Sequence, residues 1–130
     1  MSTQALILRL QAQRASWCEL QPAADGHPAI EVQLSRPVEA ELRDYYDARA
    51  AGTLQPRLVR AACEQATGWR GMSAAALLGA AIGSADELPF DAALWVEVVR
   101  DRQAWLDKVA VHLMDAIAAH LATRSAAAKN

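Results

Sequence analysis

Gly68-Trp69-Arg70-Gly71, continued by residues 72–87 and closed by Leu88-Pro89-Phe90-Asp91, is the stretch that decides the fold. Before it, short segments alternate apolar and polar residues, as half-buried strands do, and two short helical patterns follow them. After it comes an alanine-rich helical region. The glycines inside this stretch favour irregular structure. We therefore expect residues 68–91 to form a loop that joins a β-rich half of the chain to a helical half.

Residues 1–35 carry the β-rich pattern. The alternating apolar residues are Leu6, Leu8 and Leu10, and then Ile30, Val32 and Leu34. Such alternation is typical of strands with one buried face, and residues 17–20 continue it. Asp25-Gly26 lies between the two runs and can form a tight turn. This half therefore predicts a β-hairpin or a small three-stranded antiparallel sheet.

Residues 36–122 are predicted to be mostly helical outside the 68–91 loop. Ser35 can cap a first helix, and Ser73 can cap a short one inside the loop. Asp91 can cap a strongly amphipathic helix, whose apolar line is interrupted near Asp101. The long C-terminal helical pattern is therefore expected to kink or divide at that point.

These patterns together predict one α+β domain over residues 1–122. A small antiparallel sheet in such a domain needs helices to cover its apolar face, and here the helices follow it in sequence. Residues 123–130 offer no apolar anchor and are expected to be a flexible tail.

Composition argues against two kinds of partner. The formal charge is −2, and no basic run is long enough to follow a phosphate backbone, so we expect no nucleic-acid binding. The longest apolar run, residues 72–82, falls short of the ~20 residues of a membrane helix, so we expect no membrane partner. The first residues lack the pattern of a signal peptide, which predicts a cytoplasmic protein with reduced Cys18 and Cys63.

No residue pattern indicates catalysis, a metal or a cofactor. His112 and His120 are too far apart along a helix to share an ion in the usual one-turn arrangement. Ser73 lacks the second glycine of a nucleophile elbow. We therefore expect no catalytic, metal-binding or cofactor-binding residues.

The aromatic residues divide into fold anchors and one surface residue. Each large ring can bury some 200 Å2, so the rings of the C-terminal half are expected to hold the fold. These anchors are Trp69, Phe90, Trp95 and Trp105. Trp17 lies among polar residues of a predicted strand and is expected to be partly exposed.

A second apolar face on the last helix suggests a binding surface. Val111, Met114 and Ala118 lie on the side of this helix opposite its main apolar stripe. Exposed valine and alanine are also common on ordinary surfaces. These residues and Trp17 are therefore either ordinary surface residues or the contact for a helical partner or a second copy of the chain.

The stretch around the join resembles the tail assembly chaperones of long-tailed bacteriophages and prophages. The resemblance covers residues 68–106: Gly68-Trp69-Arg70-Gly71-Met72, Leu77-Leu78, a Gly/Ser/Asp-rich loop, Leu88-Pro89-Phe90-Asp91, and Asp101-Arg102-Gln103-Ala104-Trp105-Leu106. It implies a non-catalytic α+β protein of the host-cell cytoplasm. Such a protein keeps the tape-measure protein soluble, helps to recruit tail-tube subunits, and leaves before the virion is finished.

Two other functions remain open at this point. The first is a structural component of the virion, such as a minor tail or connector protein. The second is an enzyme of unrecognised type, which the absence of a nucleophile with a base, or of a metal set, disfavours.

Overall fold

The computed structural model describes residues 1–129, which form three strands and six helices in an α+β fold. In chain order the elements are α1 (Thr3–Gln13), β1 (Ala15–Gln21), β2 (Ile30–Ser35), α2 (Glu39–Ala50), α3 (Leu54–Glu64), β3 (Ala66–Arg70), α4 (Ala74–Leu78), α5 (Ala92–Arg100) and α6 (Gln103–Lys129). The predicted fold class is therefore confirmed, although several elements differ from those predicted.

The three strands form one antiparallel sheet with β2 in the centre. Val32 of β2 lies opposite Cys18 of β1 and opposite Trp69 of β3. Ile30, Val32 and Leu34 are buried, and the residues between them are only half-buried. The alternation predicted for this segment is confirmed, and its buried face packs against the helices.

The strand predicted around Leu6, Leu8 and Leu10 is wrong, because this segment is the helix α1. The Oγ atom of Ser2 caps it by accepting a hydrogen bond of 3.1 Å from the Ala5 amide. Leucine, glutamine, alanine and arginine are all good helix formers, and they fill most of the segment. The leucine alternation was misleading because it is short and imperfect: Ile7 is apolar where the pattern requires a polar residue, and only Arg9 and Gln11 fit it.

The third strand overlaps the start of the stretch, residues 68–91, that we expected to be a loop. Residues 66–70 form β3, and α4 follows after Gly71. Threonine and tryptophan suit a pleated, half-buried surface, and pairing with β2 decides the conformation. The cap predicted at Ser73 is present, since its Oγ accepts a hydrogen bond of 3.1 Å from the Ala76 amide.

The helix start predicted at Ser35 is also displaced. Ser35 is the last residue of β2, and its amide donates a 2.8 Å hydrogen bond to the carbonyl of Gln65. Val38 occupies the N-cap position of α2 without a side-chain cap. Ser35 therefore ends the strand β2 and does not cap the helix α2.

The C-terminal helices follow their capping signals. Asp91 Oδ1 accepts a 2.8 Å hydrogen bond from the Leu94 amide at the start of α5. The predicted break near Asp101 is confirmed, because α5 ends at Arg100 and α6 begins at Gln103.

The tail expected at 123–130 is helical as far as residue 129, and residue 130 lies outside the described residues. Alanine-rich sequence propagates an existing helix readily.

The hydrophobic core lies between the sheet and the helices α3, α5 and α6. The indole of Trp95 is 0% exposed, and Trp69 and Trp105 are also buried. Phe90 packs against the core and meets Trp69 edge to face, with 5.0 Å between ring centroids. Trp69 Nε1 also donates a 2.7 Å hydrogen bond to the carbonyl of Leu88. The residues before α5 are thereby fastened to β3.

Candidate functional site

Trp17, the first predicted contact residue, lies on the outer face of the sheet. Its neighbour Cys18 faces α6, with Sγ 3.8 Å from the Lys108 carbonyl, so the Trp17 ring points away from α6. The guanidinium carbon of Arg70 lies 4.0 Å from the ring centroid. Two 2.9 Å hydrogen bonds to Glu31 hold that guanidinium in place. The indole is therefore partly covered by a neighbour of its own sheet.

The other three predicted contact residues share one face of α6. Val111 is 60% exposed and Ala118 is exposed, whereas Met114 is half-buried and packs against the core. Their spacing of three and four residues places them on the same side of the helix. The structure thus brings these three residues together but leaves Trp17 on a different surface.

Helix α1 presents a larger apolar surface, which the sequence analysis missed. None of its residues is buried. Its large apolar side chains are exposed by 49% at Leu6, 42% at Ile7, 55% at Leu8 and 47% at Leu10. Leu6 and Leu10 lie one turn apart and share a face. Because contiguous exposed apolar patches often belong to interaction surfaces, the face of α1 that carries Leu6 and Leu10 is a candidate for one.

A groove of about 650 Å3 adjoins the end of α1. The start of β1, the segment that leads into α2, and α6 form its other sides. Its apolar lining comes mainly from Leu10, Ala15, Val38, Ala116 and Ala119. Its charged lining comes from Arg14, Arg36, Glu39, His120 and Arg124. Because Leu10 belongs to both, the apolar face of α1 continues into a groove rich in basic groups.

Glu39 is the one carboxylate among these lining residues, and it already has two partners. Its Oε1 accepts a 2.8 Å hydrogen bond from Arg124 Nε and lies 2.7 Å from His120 Nε2. These contacts, that of Arg124 first, lower the pKa of the Glu39 carboxyl below its usual value. An ionised carboxylate therefore ties the start of α2 to α6 at one side of the groove.

One contact in the structure joins a hydroxyl to a base. Ser16 Oγ lies 2.7 Å from His112 Nε2, although the two residues are 96 positions apart in sequence. Nucleophilic catalysis also needs a group that orients the imidazole. Among the described residues, no side-chain hydrogen bond reaches the other ring nitrogen of His112. The contact therefore links β1 to α6, and no local sequence pattern could have predicted it.

The stability of the fold should depend on pH through His112. Burial lowers the pKa of this imidazole below its usual 6.5, with the charge of Asp115 opposing the shift in part. The unfolded chain then binds the proton more tightly, so stability is complete above about pH 6.5 and falls as the pH drops below it. Thermal unfolding of the wild type and of His112→Gln between pH 7.5 and 5 measures this.

Glutamine can keep a hydrogen bond to Ser16 but does not titrate, which makes this variant the control. We expect its melting temperature to fall less steeply with acidification than that of the wild type. Parallel pH profiles for the two proteins would contradict the assignment to His112.

The remaining reactive residues form no recognisable chemical centre. No group of three or more His, Cys, Asp or Glu side chains that could hold a metal ion occurs among residues 1–129. Cys18 and Cys63 are free thiols, and burial raises the pKa of each. Among the helices that the structure describes, none is both long and apolar enough to cross a membrane.

Comparison with known proteins does not assign the chain to a family. The elements that distinguish its surface are the exposed helix α1 and the groove beside it. No protein-family model, curated protein or solved structure gives a significant match to this chain.

Proposed function

We propose that this protein is a non-catalytic tail assembly chaperone of a phage or prophage. In this proposal it binds the tape-measure protein in the host-cell cytoplasm, keeps it soluble, and assists the addition of tail-tube subunits. The resemblance of residues 68–106 to that family supports the proposal, and so does the surface of α1.

The exposed apolar side chains of α1 are the observation that carries the proposal. A protein that covers a long apolar helical partner needs apolar area outside its own core. Four large apolar residues of α1 are each more than 40% exposed, while the core is complete without them. We place the tape-measure contact primarily on α1, with Val111, Met114 and Ala118 as a second surface on α6.

Co-expression with the tape-measure protein encoded beside this chain tests the proposal. We expect the wild-type chain to increase the soluble fraction of the tape-measure protein and to co-purify with it. The double variant Leu6→Gln with Leu10→Gln should bind roughly tenfold or more weakly, because each half-exposed leucine contributes on the order of 1 kcal/mol when covered. Glutamine preserves helix propensity.

The matched control is Leu78→Gln with Ile82→Gln, which removes two exposed apolar side chains outside α1. This control should bind as the wild type does. If the tape-measure protein is equally insoluble with and without the wild-type chain, the proposal fails. Detection of the chain in purified virions by mass spectrometry would favour a structural component instead.

A further inference from the structure

The groove beside α1 contains two guanidinium groups without an acidic partner. Among the described residues, neither Arg14 nor Arg36 forms a salt bridge. Arg36 donates a 2.7 Å hydrogen bond to the neighbouring Pro37 carbonyl, and Arg14 makes a long contact of 3.4 Å with the Leu10 carbonyl. The buried Nε of Arg14 has no hydrogen-bond partner in residues 1–129. Both guanidinium groups therefore retain N–H groups that can donate hydrogen bonds to a ligand in the groove.

The positive charges in the groove act on one another. Burial first, and then the charges of Arg14 and Arg124, lower the pKa of the Arg36 guanidinium, while Glu39 opposes this. A guanidinium nevertheless stays protonated in proteins. Glu39 forms its salt bridges with Arg124 and His120, so its charge offsets the repulsion at Arg36 only in part and it makes no direct contact with either Arg14 or Arg36. An added negative charge would relieve this repulsion.

The surroundings of the two arginines restrict what can supply that charge. Leu10, Val38, Ala116 and Ala119 give the groove an apolar lining. A ligand that fits both parts carries one anionic group on an apolar body. A carboxylate matches a guanidinium in shape and accepts two parallel hydrogen bonds from it.

We propose that this groove binds an aspartate or glutamate side chain from an apolar helical segment that lies along α1. The carboxylate contacts Arg14 and Arg36, and apolar residues one turn away on the same segment contact Leu6 and Leu10. The identity of the segment, a helix of the tape-measure protein, rests on the proposed function. The carboxylate site itself does not depend on it.

A nucleic acid fits the groove less well. Phosphate backbones are held by several cations that follow the strand. Here Glu39 lies inside the groove, and the net charge of the chain is −2. These negative charges weaken the binding of a polyanion more than the binding of a single carboxylate.

The first test uses hexanoate, which combines a carboxylate with an apolar tail, as the probe. Titration followed by NMR of the arginine Nε–Hε groups should show saturable shifts for Arg14 and Arg36. Hexanol, which has the tail but no charge, should shift neither. Absence of saturable shifts with hexanoate overturns the carboxylate site, and tighter binding of inorganic phosphate overturns its preference for carboxylate.

The second test places the site in the complex with the tape-measure protein. Arg14→Gln with Arg36→Gln should weaken co-purification at least tenfold and reduce its sensitivity to salt. The matched control, Arg43→Gln with Arg49→Gln, removes two exposed charges of α2 that lie outside the groove and away from α1, and it should leave binding unchanged.

The outcomes separate the two proposals. If the wild type binds the tape-measure protein and the Arg14/Arg36 variant binds equally well, the carboxylate inference is wrong and the chaperone proposal stands. If the wild-type chain does not bind the tape-measure protein but its groove binds hexanoate, the chaperone proposal is wrong and the carboxylate site stands. Circular dichroism of each variant verifies that the helices are intact.

Discussion

Trp95→Ala is expected to lower the free energy of unfolding by about 3 to 5 kcal/mol, the usual cost of deleting a buried tryptophan ring. The indole of Trp95 is 0% exposed and belongs to the single core cluster formed by the sheet and the helices. Its Nε1 also donates a 2.8 Å hydrogen bond to the carbonyl of Ala62, which ties α5 to α3. Chemical denaturation monitored by circular dichroism measures the loss.

Two further variants identify the source of this loss. Trp95→Phe keeps an aromatic ring but leaves the buried Ala62 carbonyl without its donor, which should cost about 1 to 3 kcal/mol. Trp17→Ala removes an indole that is 37% exposed and should cost only about 1 kcal/mol, mostly its contact with Arg70. Equal destabilisation by Trp95→Ala and Trp17→Ala would show that Trp95 is not the core residue described here.

The C-terminal half of the fold could be predicted because its signals are local. Asp91 caps the amides that follow it within one turn, and the interruption near Asp101 lies on the helix that it divides. Helix starts and breaks of this kind depend on residues a few positions apart. The same holds for the short helix capped by Ser73.

The conformations of β3 and α1 were harder to predict from sequence. That of β3 depends on pairing with a distant strand, and that of α1 depends on its leucines having no core to pack against. β3 exists because residues 66–70 pair with β2, far earlier in the chain. In α1 the leucines predicted a buried strand face, yet they are exposed on a helix. A pattern of apolar residues shows where a surface is, but the burial of that surface is a property of the tertiary structure.

The candidate site shows the same limit. Val111, Met114 and Ala118 share a helix face because helical spacing is regular, and this much follows from sequence. Arg14, Arg36 and Arg124 belong to different parts of the chain, and only the packing of α6 beside β1 and α2 brings them to one groove. No motif connects such residues before the fold is known.

Gly71→Ala is the second substitution expected to have a large effect, because the glycine has both a special conformation and no space for a side chain. Gly71 immediately follows β3 and has φ +79°, a left-handed conformation that disfavours other residues. A Cβ atom here would lie 2.0 Å from the carbonyl oxygen of Ala29, which immediately precedes β2. We expect a loss of about 3 kcal/mol in the free energy of unfolding, since the edge of the sheet must move.

Gly26→Ala is the matched control for the effect of conformation alone. Gly26 has nearly the same φ, +77°, but a Cβ atom there would meet nothing within 4 Å. Left-handed strain without a clash should cost about 1 kcal/mol, partly offset by the reduced freedom of the unfolded chain. The denaturant midpoint of Gly71→Ala should therefore fall well below that of Gly26→Ala. If the two variants are destabilised equally, the close approach of Gly71 to Ala29 does not constrain the fold, and the backbone conformation alone accounts for both glycines.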